Sequence, residues 1–306
     1  MIKTPMDVLS DHPIRRTKQQ KQAFRASVQS WLEEQGYTVT EEPGRGRGRN
    51  VVFGDPETAR FLICAHYDTP AASWEPQLQM PCSPFLNALC QILNAVVALI
   101  PAAAGGVAAY FLSHDPRIAY LVLAVLALLR PVMMLFGPAN RHNANANTSG
   151  VVALLETAAS MPPILRRRVC FILLDGGEPA MSGSSAHRKH HFFASKYQTV
   201  IDLNCVGDGD TLMFFPGKAL RGDPNLLHLE RRCGAKSVSV WKKRRNAWVS
   251  DYVNFPRSVG VAALRKGKLG YRLGRTRTRR DTVLDHTNIN ILRACLISYI
   301  SSPAAE

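Results

Sequence analysis

Phe61-Leu-Ile-Cys-Ala-His66-Tyr67-Asp68-Thr69-Pro70 is the stretch on which the reading of this chain turns. An unbroken apolar run ahead of His-x-Asp describes a buried strand whose end presents an imidazole and a carboxylate at one edge of a sheet. There the carboxylate can orient the imidazole on a metal ion. A second apolar run ends in Asp175-Gly176-Gly177-Glu178, which can bring another ligand to the same edge. Each signal also has an ordinary reading: His-Tyr-Asp closes many strands, and Glu after two glycines is a common turn residue.

The flanking sequence alternates between two periods. Residues 17–36 predict an amphipathic helix with Phe24, Val28 and Leu32 on one face. Strands are expected at 60–66, 168–175, 199–207, 211–215 and 259–264, and helices at 148–159, 184–197, 224–233 and 288–300. Short apolar runs alternating with helices imply a three-layer α/β/α fold around a mostly parallel central sheet. In such sheets ligands bind at the carboxyl ends of strands, where both motifs fall.

One compositional island interrupts the pattern. Residues 85–138 hold two apolar stretches, each of roughly the 20 residues a helix needs to cross a bilayer, joined by Ser113-His-Asp-Pro-Arg117. They predict a transmembrane helical hairpin inserted into one domain built from residues 1–84 and 139–306. Asn94, Pro101, Gly105-Gly106 and Arg130-Pro131 would suit a buried helical pair instead, yet Gly and Pro are common in membrane helices and an Arg can snorkel. A hairpin leaves both flanks on one side. Their Lys and Arg content predicts a multi-pass protein of the cell membrane with its domain in the cytoplasm.

At 306 residues the chain can bury a full core. A net charge of +15 and an isoelectric point near 9.8 favour an anionic partner. The seven cysteines (64, 82, 90, 170, 205, 233 and 295) form no Cys-x-x-Cys pair and read as reduced core thiols. The first twenty residues lack an apolar signal core, which argues against a cleaved leader.

Five ordered landmarks run through the chain outside the hairpin: AHYD (65–68), NANTSG (145–150), DGGEPAMSGS (175–184), IDLNCVGDGD (201–210) and RTRRDT (277–282). In these the chain resembles the M28 aminopeptidase family of dinuclear zinc exopeptidases, and within it a bacterial membrane subgroup with a two-helix insertion between the first two landmarks. The resemblance implies that His66 is a zinc ligand and Asp68 its orienting partner. It also implies losses. The bridging Asp of the second motif is here Ala146, the general base of the third is Gly177 beside the retained ligand Glu178, the Asp ligand of the fourth is Asn204, and the His ligand of the last is Arg277. A catalytic zinc needs about three protein ligands and an open position for water, two dications need a bridging anion, and attacking water needs a base.

Family geometry would turn Arg277 into the vacated space, where its guanidinium could replace the cation and pair with Glu178. The alternative is a solvated basic loop. His187, His190 and His191, with His142 upstream, could rebuild a metal site, but their neighbours favour a solvated basic face. Lys242, Lys243, Arg244 and Arg245, then Arg265, Lys266, Lys268, Arg272, Arg275, Arg279 and Arg280, form basic stretches suited first to anionic lipid headgroups, then to an acidic protein or peptide, and last to nucleic acid.

Two functional classes follow. One is a membrane-anchored pseudopeptidase that binds or scaffolds without a cofactor. The other is a zinc-dependent aminopeptidase working through a reduced or rebuilt metal site.

Overall fold

The run that opens the sequence reading becomes strand β3 (Phe61–His66), buried at all six positions. Burial on both faces is what an apolar run without polar alternation requires. The computed structural model describes residues 2–44, 46–73, 77–177 and 180–302. In chain order the other strands are β1 (Val39–Pro43), β2 (Arg49–Phe53), β4 (Val169–Leu174), β5 (Thr199–Leu203), β6 (Thr211–Pro216), β7 (Arg231–Cys233), β8 (Lys236–Val240), β9 (Ser258–Gly267) and β10 (Gly270–Arg272). They form a single sheet in the order β1-β2-β4-β3-β5-β9-β6-β8-β7, with β10 paired to β9. The main helices are α1 (Lys18–Glu34), α2 (Pro84–Ser113), α3 (Pro116–Phe136), α4 (Ser149–Ala159), α5 (Ser182–His190) and α6 (His286–Ser301).

The sheet is parallel at its centre, where β4, β3, β5 and β9 pair in sequence. Its margins are mixed: β1–β2 and β2–β4 are antiparallel on one side, β9–β6 and β8–β7 on the other. Side chains of β3 divide by parity. Phe61, Ile63 and Ala65 join a core shared with Phe24, Val28 and Leu32 of α1, Val151 and Leu155 of α4 and Leu292 of α6, whereas Leu62 and Cys64 pack with Ile172, Val200 and Phe255 on the opposite face. A Thr17–Gln20 capping box starts α1, and Asp285 caps α6 through the backbone N–H of Thr287.

Several boundaries differ from expectation. The helix expected over 184–197 stops at His190, and only one turn, Ala194–Tyr197, follows. That over 224–233 shrinks to Pro224–Leu227; the chain then becomes β7 and turns through Gly234 (φ 63) into β8. The strand expected over 199–207 ends at Leu203. All seven cysteines are free, and Cys64, Cys170, Cys205 and Cys295 are buried.

Helices α2 and α3 are long and apolar enough to cross a membrane. At 1.5 Å per residue they extend roughly 45 and 32 Å, and Phe85, Leu112 and Phe136 at their ends are exposed. Gly105 and Gly106 let them approach closely: a Cβ at 105 would lie 2.4 Å from Leu126 Cδ1, and one at 106 would lie 3.0 Å from Leu123 Cβ. The side chain of Arg130 is outside the described set. At its base the hairpin is tied to the domain. Arg16 Nη2 donates to the Leu135 carbonyl at 2.6 Å, and Ala71 bridges Ala139 just beyond Asp68.

Candidate functional site

Because β3, β4 and β5 run parallel, their carboxyl ends share one edge, and that edge gathers the positions singled out in the sequence. His66 ends β3 and Asp68 follows two residues later; both are 4% exposed. Gly177 lies in the loop after β4, and Asn204 follows β5. Ala146 sits in a distorted turn, Ala144–Thr148, leading into α4, where Asn147 has φ 82. Arg277 (φ 61) precedes α6; its carbonyl accepts from Ser73 N–H at 2.9 Å, and the residue lines the same cavity as Asp68. Non-glycine residues in the left-handed region are costly and concentrate at functional edges. Glu178 lies outside the described residues, and the Glu178–Arg277 pair with it.

His66 is engaged differently from a metal-ready imidazole. The Asn147 amide nitrogen is 3.0 Å from His66 Nδ1 and also donates to the Asp68 carbonyl. The Asn147 amide therefore occupies the space beside Nδ1. A zinc-ligating His instead donates from its outer nitrogen to a carboxylate. Asp68 Oδ1, at 3.5 Å, is too far for that bond, and it accepts from Gly177 N–H at 2.9 Å. Gly177 is pressed against the imidazole: a Cβ built there would fall 2.2 Å from Nδ1 and 2.6 Å from His66 Cβ.

Ala146 and Asn204 are taken up by packing and hydrogen bonds. Ala146 packs with Cys205, Met213 and Trp248. The Asn204 amide donates to Ser250 Oγ at 2.9 Å, and its oxygen accepts from the Cys205 thiol. Neither offers an anionic ligand, and position 177 cannot hold a carboxylate as the loop now runs. These residues do not fit a dinuclear zinc centre.

Four buried groups at this edge escaped the sequence reading. Asp202, on β5, is pushed up to about 7 by burial and by neighbouring Asp251. Asp251 accepts from Ser184 Oγ at 2.5 Å. Asp281, quoted in the last motif without a role, accepts from the backbone N–H of Asn145 at 2.7 Å and Ala146 at 3.1 Å, and burial raises it to about 6. Arg15 is completely buried and donates to the carbonyls of Tyr67 and His12, each at 2.6 Å, and to Thr148 Oγ1 at 2.8 Å. Burial lowers it to about 10. Asp202 and Asp281 stood inside quoted motifs without a role; Arg15 and Asp251 became visible only through contacts between segments remote in sequence.

The basic stretches are partly neutralised. Arg265 and Arg275 both reach Asp208, at 2.5 and 2.6 Å, and Lys242 pairs with Glu230 at 2.6 Å. Lys266, Lys268, Arg272, Arg279 and Arg280 remain exposed, as do Lys243, Arg244 and Arg245.

The sequence profile of peptidase family M28 matches residues 133–288, just over half of the chain. The chain belongs to that family. No curated protein matches this M28 chain. Among solved structures, a glutaminyl cyclase from Porphyromonas gingivalis superposes with a TM-score of 0.56 at 15% identity, covering 97% of this chain and 96% of that one. The LapA aminopeptidase of Legionella pneumophila gives 0.54 at 12% identity, covering 97% and 70%. A glutaminyl cyclase from Macrostomum lignano gives 0.52 at 12% identity, covering 96% and 87%. At such identities the likeness speaks for the fold, and it agrees with a mixed α/β architecture around one large sheet.

Proposed function

We propose that this M28 chain is a membrane-anchored pseudopeptidase that binds a ligand without hydrolysing it. The observation that carries this is the packing of Gly177 against His66. The family's general-base position holds no carboxylate, and a Cβ there would lie 2.2 Å from the imidazole. Ala146, Asn204 and Arg277 at the other ligand positions support the same reading, because a water-activating zinc needs about three ligands and a nearby base.

Helices α2 and α3 supply the membrane anchor, with the domain in the cytoplasm. Between hairpin and domain lies a cavity of about 1120 Å³. Ala98, Pro101, Leu126 and Leu129 form an apolar wall on the hairpin side, while Arg16, Arg141 and Arg277 line the domain side. That arrangement suits an amphiphile with an anionic head, and the exposed basic stretches suit an anionic leaflet.

Zinc content, measured by mass spectrometry on tag-free wild-type and His66→Ala protein, tests the non-catalytic part. Equal content in both is expected; one equivalent lost with His66→Ala overturns it. Thermal unfolding in nanodiscs tests the ligand class. Anionic lipid should raise the midpoint over neutral lipid, less so in Arg141→Gln; equal midpoints in the two lipids remove the headgroup assignment.

A further inference from the structure

Helix α5 carries His187, and His191 caps its end one turn later; the structure corrects the expectation of a solvated face. His187 is fully buried, with Nδ1 2.8 Å from Glu42 Oε2 on edge strand β1. His191 Nε2 lies 2.7 Å from Glu42 Oε1, and its Nδ1 contacts Glu57. The two imidazole centroids are 4.6 Å apart. One donor atom from each of Glu42, His187 and His191 lies within 4.8 Å of the others. His187 Nε2 is buried and has no hydrogen-bond partner among the described residues, so this imidazole is not locked into a fully satisfied network.

We propose that Glu42, His187 and His191 form a zinc site that clamps α5 to the sheet edge, with Glu57 holding the His191 ring through Nδ1 from outside the site. Two imidazoles and a carboxylate are a borderline donor set suited to zinc. The Glu42 and Glu57 carboxylates together balance the dication. Tetrahedral ligands about 2.1 Å from zinc stand roughly 3.4 Å from one another. The present nitrogen–oxygen separations of 2.7 and 2.8 Å therefore need to open by well under 1 Å. Glu42 and His191 can supply that movement, because their side chains keep 15% and 14% exposure and the ion has an entry path.

Glu42 on β1 lies three strands across the sheet from His66 on β3, so the two metal questions separate by mutation. Full-length, tag-free protein in detergent is stripped with chelator and titrated with zinc chloride by calorimetry, as wild type, Glu42→Gln, His191→Ala and His66→Ala. One equivalent is expected to bind, to raise the unfolding midpoint by roughly 5 °C when free zinc is 100-fold above Kd, and to weaken as pH falls and the imidazoles protonate. Glu42→Gln and His191→Ala should each weaken binding at least tenfold, while His66→Ala leaves it unchanged. Binding that survives both cluster variants, or no binding by the wild type, overturns the site. Loss with His66→Ala alone overturns it too and places zinc at the strand-end position, against the non-catalytic reading. A variant that fails to fold is replaced by Glu42→Asp, which preserves the charge and should bind zinc detectably but more weakly; unchanged affinity there also counts against the site.

Discussion

Gly177→Ala should destabilise the protein through a clash whose atoms are known. The new Cβ would fall 2.2 Å from His66 Nδ1, 2.4 Å from Cγ and 2.6 Å from Cβ, well inside the ~3.5 Å of an ordinary carbon contact. Gly177 is not in the left-handed region, so alanine brings no torsional penalty and the cost is steric. Rotation of the ring cannot relieve it, because His66 Cβ is attached to the β3 backbone. Overpacking of this kind costs about 1–3 kcal/mol, and the entropy alanine removes from the unfolded chain returns ~0.4–1 kcal/mol. The net loss of about 1–2 kcal/mol corresponds to a fall of ~2–8 °C in the midpoint of thermal unfolding, read by tryptophan fluorescence in detergent. In a His66→Ala background the ring atoms are gone, so about half of the cost should disappear, a coupling on the order of 1 kcal/mol. An unchanged midpoint with no coupling would refute the reasoning, because the loop after β4 would then stand clear of His66 and leave room for a base.

Asp281 gives a pH signature. Burial raises its folded-state value from 3.8 to about 6 against the backbone hydrogen bonds that pull it down, so its protonated form favours folding. The contribution is present below the unfolded value and lost as pH rises through about 6, on the order of 3 kcal/mol at most. Denaturation midpoints across this window should drop for the wild type and stay flatter for Asp281→Asn; parallel profiles would count against it. Asp202→Asn should likewise gain stability relative to wild type above about pH 7, where the buried carboxylate next to Asp251 ionises, and an equal loss at all pH values would mean that only its hydrogen bonds matter. Gly105→Leu should splay the hairpin, since even a Cβ there meets Leu126 at 2.4 Å; a cost of ~1–3 kcal/mol is expected, and unaltered unfolding would deny the close helix contact. Ser113→Cys, in the hairpin turn, should react with an impermeant maleimide from outside intact cells. Labelling only after permeabilisation would reverse the topology.

Much of the architecture was legible because burial on both faces leaves a simple mark. The uninterrupted apolar runs at 61–65 and 169–174 and the helical spacing of Phe24, Val28 and Leu32 led to the right elements. Strand β1 left no such mark: Val39-Thr-Glu-Glu-Pro43 is an edge strand rich in polar residues, stabilised by pairing rather than burial. The apolar residues of 224–229 suggested a longer helix, but Gly234 supplies the left-handed turn that commits the following residues to the β7–β8 hairpin. At the site, residue identities carried the expectation that Ala146, Gly177, Asn204 and Arg277 stand at M28 site positions. Only distances could expose how the space was refilled, with Asn147 on His66 Nδ1 and Gly177 against the ring. His187 and His191 were visible in the sequence, but their partner Glu42 lies about 150 residues away on a strand that polar composition concealed.

Release of the chromophore from unblocked aminoacyl anilides, followed with purified full-length protein and added zinc, tests the non-catalytic reading most directly. Wild type and His66→Ala should give the same background rate. A wild-type rate above that of His66→Ala would contradict it, because hydrolysis would then depend on the His66 imidazole.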